Sequence, residues 1–245
     1  MQVVDAHRFY AACPELAQRV QTCRLPGLYL WEYLCYTISS RDVVSSTAYF
    51  HEPEWMDDCH SKSQRFCILE YLRAMGCSCD EVLCPDGELI RIDPSFKSSD
   101  NGSILRLEML FNSCDVDRQM QYMRSALKWV CGSENGDRIR SHLPGMPPYH
   151  SAVAFDLAVR VPRVLRLYFR VPQESGKEFL GVTVAASGDI ISRRVYWRPS
   201  RKELTSFNVP IPCGFSPAYL ADEETSVGKA RKIYLFNNLW KKKGA

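Results

Sequence analysis

Two arginines flank a tyrosine at alternate positions in LRLYFR, as Arg166, Tyr168 and Arg170, and again in RRVYWR, as Arg194, Tyr196 and Arg198. Alternate residues of a strand share one face, so each segment sets guanidinium, phenol and guanidinium in a row. Guanidinium groups pair with phosphate or carboxylate oxygens through parallel hydrogen bonds, and such a face suits an anion. Arg106 in ILRLEML lies on its strand as Arg166 does, Arg91 in ELIRID adds a cation, and Lys232 and Tyr234 alternate in RKIYLF. One carboxylate stands out: Glu32, between Trp31 and Tyr33, is either on an exposed edge or tuned by burial. His51 and His60 belong to no motif and read as ordinary polar residues.

The elements that must position these groups follow from periodicity. The segment AVAFDLAVRVPRVLRLYFRV reads as a β-hairpin turning at Val161-Pro162, with Leu165, Leu167, Phe169 and Val171 on its apolar face. Residues 42–51 predict a strand, as do 88–93 and 103–111, the last two joined by a polar turn. Residues 179–187 and 190–198 predict strands about a Gly188-Asp189 turn, and 231–238 the last strand. Helices are predicted over 5–13, 55–75, from an Asp115 cap to Gly132, over 201–207 and over 217–227. Residues 133–149 read as a long connection. Strand pairs alternate with helices. The apolar strand faces need covering and the Arg/Tyr faces need enclosure or water. This predicts an α+β fold: one domain over residues 1–245, a closed antiparallel β-barrel with a polar lumen ringed by α-helices.

Composition narrows the partners. A formal charge of +3 in 245 residues is too small for a nucleic-acid or membrane protein, so positive charge acts locally. Neither an apolar run long enough to span a bilayer nor a signal peptide is visible. The eleven cysteines are odd in number, and CSCDEVLC lacks paired zinc-ligand spacing, so free buried thiols in a reducing cytoplasm are expected. No dinucleotide or phosphate-loop glycine motif and no nucleophile triad is evident.

The segments LYLWEYL, RIDPSFKSSDNGSILRLEMLF, VAFDLAVRVPRVLRLYFRV, RRVYWRPSRKELTSF and ARKIYLF, in this order, resemble the cyanobactin peptide prenyltransferases. That resemblance implies an ABBA barrel of repeated α-β-β-α units. It implies an allylic diphosphate, dimethylallyl or geranyl, with Mg2+ accompanying the diphosphate, and a linear or cyclic peptide acceptor. Arg91, Arg106, Arg166, Arg194 and Lys232 would bind the diphosphate, Tyr49, Tyr168, Tyr196 and Tyr234 would shield the allyl cation, and Glu32 would be the general base. Relatives often carry a basic residue in the strand after that glutamate, whereas DVVSSTAYF has none; Arg170 or Arg198 would then substitute.

The acceptor stays open among Tyr, Trp, Arg, His and Ser or Thr side chains. A second carboxylate near Glu32, Asp93 or Asp156, would favour a guanidinium, and Gly181, Thr183 and Ala185 would line the prenyl-tail pocket. Two other readings use the same faces: a small-molecule aromatic prenyltransferase, and a non-catalytic RNA- or anion-binding module.

Overall fold

The computed structural model describes residues 30–51, 92–99, 102–110, 115–156, 161–172 and 176–238. Ten antiparallel strands close into a barrel: β1 (Leu30–Ser39), β2 (Asp42–His51), β3 (Ile92–Ser99), β4 (Gly102–Leu110), β5 (His150–Asp156), β6 (Val161–Arg170), β7 (Phe179–Ala185), β8 (Ile190–Trp197), β9 (Phe215–Thr225) and β10 (Gly228–Asn237). Each pairs with its neighbours in sequence, and β1 closes the ring by pairing with both β2 and β10. The expected barrel is therefore present.

Alternation decides which side chains face the lumen. On β6, Leu165, Leu167 and Phe169 are buried on the outer face, while Arg166 and Tyr168 point inward. The helix α1 (Val116–Cys131) lies against β6 and buries Met123, Ala126, Leu127 and Val130 on one side. The Asp115 carboxylate caps it by accepting from Arg118 N at 2.8 Å, and Gly132 ends it with φ +78°, as the sequence predicts. A second outer cluster joins Leu34, Tyr36, Ile38, Trp197, Leu220, Ile233 and Leu235. The segment carrying the one-turn helix α3 (Arg201–Leu204) covers it with Leu204, Phe207 and Val209. Trp197 Nε1 donates to Glu203 Oε1 at 3.0 Å, and Glu203 also completes a capping box with Ser200.

Four expectations need correction. Residues 217–227 are not a helix: the Ala, Leu and Glu that favour helix lie in β9, hydrogen-bonded to β8 and β10 on both sides. Propensities of under about 1 kcal/mol per residue cannot outweigh two ladders of backbone bonds. The hairpin does not turn at Val161-Pro162. These residues pair with Asp156 and Phe155 at the start of β6, where a register shift accommodates the proline. The stretch read as a polar turn after 93 is strand β3, which pairs with β4 from Ile92 to Ser99. Finally, the long connection after Gly132 contains the helix α2 (Ser133–Arg140). The helices expected over 5–13 and 55–75, together with Arg91, His60 and the CSCDEVLC cysteines, lie outside the described residues. Of the described cysteines, Cys35 and Cys131 are free and buried, as expected, and Cys213 is free and exposed.

Candidate active site

The inward faces repeat one pattern along the barrel axis. On β10, Lys232, Tyr234 and Phe236 follow at alternate positions; on β8, Arg194 and Tyr196; on β6, Arg166 and Tyr168. Because all three strands run the same way in the antiparallel ring, a cation lies one step below a tyrosine on each. The lumen is therefore layered: cations, then tyrosines, then a third level of mixed character.

At the cationic level, Arg194 Nε donates to Glu223 Oε1 at 2.6 Å and Lys232 Nζ lies 3.1 Å from Glu223 Oε2. Burial works against the Glu223 carboxylate, but Arg194 and Lys232 outweigh it and hold it at about 2. Lys232 also reaches Thr37 at 3.2 Å. Arg166 Nε donates to Thr183 Oγ1 at 2.9 Å, and Ser192 donates to the same oxygen at 2.9 Å. Thr183 is thus bound into the polar network rather than lining an apolar tail pocket. Lys97, on β3, belongs to this level. Burial, then Arg166, Arg106, Arg194 and Lys232, bring its ammonium down to about 8. Among the described residues, no carboxylate pairs with Lys97 or Arg166.

Above the cations the four expected tyrosines form a belt. Ring centroids lie 6.3 Å apart for Tyr49 and Tyr234, 5.7 Å for Tyr196 and Tyr234, and 6.1 Å for Tyr168 and Tyr196. Arg194 NH1 donates to Tyr234 Oη at 3.2 Å, and the Arg106 guanidinium lies 5.4 Å from the Tyr49 ring centre. Burial pushes the Tyr49 and Tyr234 phenols up. Burial acts on Tyr168 in the same sense, but Arg166 and Arg106 outweigh it and bring that phenol below its usual value.

The third level holds a chain of carboxylates and imidazoles. His51 Nδ1 lies 2.5 Å from Glu32 Oε2. Its Nε2 is 3.7 Å from Glu108 Oε1, whose partner oxygen Oε2 is 2.8 Å from His150 Nε2. Arg106 NH2 reaches Glu108 at 3.0 Å. Burial disfavours a charged His51, yet Glu32 and Glu108 together raise it to about 9. Burial likewise opposes the Glu108 carboxylate, but Arg106, His150 and His51 hold it well below the usual range. Aromatic rings surround this end: Tyr168 stacks on His150 at 5.0 Å, and Phe179 stacks on Tyr196 at 4.6 Å.

A bulge delivers Glu32 to this chain. Trp31 and Tyr33 pair with the consecutive residues Phe50 and Tyr49, so Glu32 is the extra residue of β1. Tyr33, Cys35 and Thr37 face inward with Phe236, Tyr234 and Lys232, and strict alternation would turn Glu32 outward. The bulge turns it back in.

Solved structures similar to this chain include prenyltransferases. Streptomyces coelicolor 5-dimethylallyltryptophan synthase matches with a TM-score of 0.55 at 10% identity, over 86% of this chain and 82% of that one. The prenyltransferase PriB matches with a TM-score of 0.53 at 11% identity, over 85% and 80%, both as the apo form and in a ternary complex with L-tryptophan and dimethylallyl thiolodiphosphate. The chain has the ABBA prenyltransferase fold. No family model matches the sequence, and no curated protein does.

Within this ABBA barrel, Arg106, Arg166, Arg194, Lys232 and the four tyrosines of the sequence reading converge on one lumen, and Glu32 opens onto it. Arg91 and the side chains of Asp93 and Asp156 lie outside the described residues. Arg170 and Arg198 do not supply the cation missing from β2. Arg198 is exposed and paired with Glu178 at 2.7 Å, and Arg170 is exposed over the Tyr149 ring. Lys97 on the next strand places a cation among Arg166, Arg106, Arg194 and Lys232, hidden from the sequence reading because PSFKSS looks like a turn. His51 is not an ordinary polar residue but the bridge between two carboxylates. Glu108 and His150 were also missed. Glu108 alternates with Arg106 in RLE, and that spacing is the one local signal for it.

Proposed function

We propose that the protein is a prenyltransferase moving a dimethylallyl or geranyl group from its diphosphate to an electron-rich side chain of a peptide. One observation carries this reading: Lys97 and Arg166, half-buried in the lumen without a carboxylate partner among the described residues, face a belt of tyrosines one step above. Cations withdrawn in part from water without a counter-charge are costly, and a diphosphate would relieve that cost. The named ligands of PriB, a thiolodiphosphate analogue, L-tryptophan and product diphosphate, support donor and acceptor sharing one barrel.

In this reading the diphosphate lies among Lys97, Arg106, Arg166, Arg194 and Lys232. The allylic C–O bond breaks with its electron pair leaving on the diphosphate, whose growing charge these groups meet in a poorly hydrated lumen. The allyl cation then faces Tyr49, Tyr168, Tyr196 and Tyr234, each ring contributing about 0.5 to 2 kcal/mol of cation-π attraction. The acceptor attacks the allylic carbon from the level above and gives up a proton to Glu32. Magnesium needs a set of oxygen ligands. The described carboxylates that reach these cations are Glu223, already held by Arg194 and Lys232, and Glu108, already held by Arg106, so they do not fit a protein-held metal. No step is assigned to one. An RNA-binding module would need its cations outside, whereas these point inward.

The test is mass spectrometry of the protein incubated with dimethylallyl or geranyl diphosphate and peptides covering every nucleophilic side chain. A gain of one prenyl unit, abolished in Glu32→Gln and Arg166→Met, is expected. No gain with any acceptor, together with no binding of either diphosphate, would overturn the reading.

A further inference from the structure

The acceptor end of the lumen contains more than a base. Glu32 comes from the β1 bulge, His51 from the end of β2, Glu108 and Arg106 from β4 and His150 from β5. Strands β1 and β4 therefore meet at one imidazole of β2, each bringing a carboxylate to one of its nitrogens, and β5 joins through Glu108. Resting on the prenyl-transfer reading, we propose that His51 is a positioning residue of this site: clamped between Glu108 and Glu32, it fixes Glu32 so that the carboxylate's second oxygen faces the acceptor.

The chemistry of the clamp follows from the donors. His51 Nδ1 lies 2.5 Å from Glu32 Oε2 in an ion-pair contact, which leaves Oε1 to accept the acceptor's proton. In the step itself, the new bond forms from the acceptor atom to the allylic carbon, the electron pair of the breaking C–O bond leaves on diphosphate, and the acceptor proton goes to Glu32 Oε1. His51 already carries its proton and takes no other. At its far side, Nε2 lies 3.7 Å from Glu108 Oε1, and Glu108 in turn lies 2.8 Å from His150 and 3.0 Å from Arg106, so carboxylates flank the imidazolium on both sides. A glutamate on a bulge with a free rotamer would lose this aim, and misplacement by an ångström is enough to cost about 100-fold in rate.

Loss of the His51 proton should end the clamp. Burial opposes this proton, while Glu32 on β1 and Glu108 on β4 hold it and raise His51 to about 9; Arg106 on β4 and His150 on β5 face the site through Glu108. Lys97, brought to about 8, titrates nearby but belongs to the donor level and would be read in donor affinity.

The experiment has two arms. In the first, 15N-histidine NMR follows the imidazoles of the wild-type protein and of Glu32→Gln. A His51 midpoint near 9 that falls by a unit or more in Glu32→Gln is expected; a midpoint near 6.5 in the wild type would overturn the clamp, and this arm needs no activity. The second compares wild type with His51→Gln at saturating dimethylallyl diphosphate, using L-tryptophan, L-tyrosine and short peptides as acceptors. A kcat lower by about 100-fold in His51→Gln is expected, with donor Kd unchanged and the alkaline fall near pH 9 gone. A wild-type kcat and pH profile retained in His51→Gln would overturn the positioning role alone. No transfer by the wild type to any acceptor would overturn prenyl transfer and the role together.

Discussion

Gly181 and Tyr196 meet inside the barrel: a Cβ on Gly181 would stand 3.1 Å from Tyr196 Cε2 and 3.5 Å from Tyr168 Cε1. The glycine lets two rings of the tyrosine belt approach the β7 backbone. Gly181→Val should push both rings into the lumen and narrow the space above the cations. Overpacking of this kind costs about 1 to 3 kcal/mol, seen as a lower Tm. The variant should lose transfer of a geranyl group more than of a dimethylallyl group, as measured by the ratio of the two rates. An unchanged ratio would place the prenyl tail elsewhere.

Lys97 and Arg166 should cost stability and bring donor affinity. Replacing either by methionine removes a half-buried cation without a carboxylate partner among the described residues, so Tm at pH 7 should hold or rise. Affinity for dimethylallyl diphosphate, measured by calorimetry, should fall about 10- to 100-fold for each, the range of a lost charged hydrogen bond. The two signs together separate a binding role from a structural one. For Lys97 the folded value, about 8, lies below the unfolded 10.5. Its stability cost is therefore full below pH 8 and fades as pH rises through 8 to 10.5, so the gain from Lys97→Met should shrink over that window.

Glu223 should behave in the opposite way. It is the carboxylate between Arg194 and Lys232, and Glu223→Gln leaves both cations less compensated. Breaking a buried pair from one side costs about 3 to 5 kcal/mol, which urea unfolding at pH 7 would detect. Since the carboxylate is held at about 2 against 4.5, its contribution is present above pH 4.5 and is lost as pH falls through 4.5 to 2. Wild type and Glu223→Gln should converge in stability across that range.

Diphosphate binding should survive chelation. The cationic level provides Lys97, Arg106, Arg166, Arg194 and Lys232, and its Glu223 is already engaged. Calorimetry with inorganic diphosphate in excess EDTA should still give saturable binding, weakened by Arg166→Met. Complete loss of binding in EDTA, restored by added magnesium, would show that the ion carries the recognition.

What could be read in the sequence was what depends on neighbours along the chain. Alternation is local, so the rows Arg166-Tyr168, Arg194-Tyr196 and Lys232-Tyr234 fixed which face of each strand was polar and put each cation two residues before its tyrosine. Helix α1 was legible for the same reason: its cap, apolar stripe and glycine stop lie within one segment. From a polar and an apolar face on strand after strand, a closed barrel with a polar lumen was the arrangement that buried one and enclosed the other.

Everything that depended on the partner strand had to come from the tertiary structure. Glu32 faces inward because β1 carries one residue more than β2 beside it, and only the pairing of two strands defines a bulge. β9 is a strand because β8 and β10 flank it, against its own helical propensity. Lys97 became visible once β3 was in register with β4. Glu32, His51, Glu108 and His150, far apart in the sequence, meet because barrel closure brings β1, β2, β4 and β5 to one end of the lumen. Local spacing sets the face a side chain takes; register and closure set what stands opposite it.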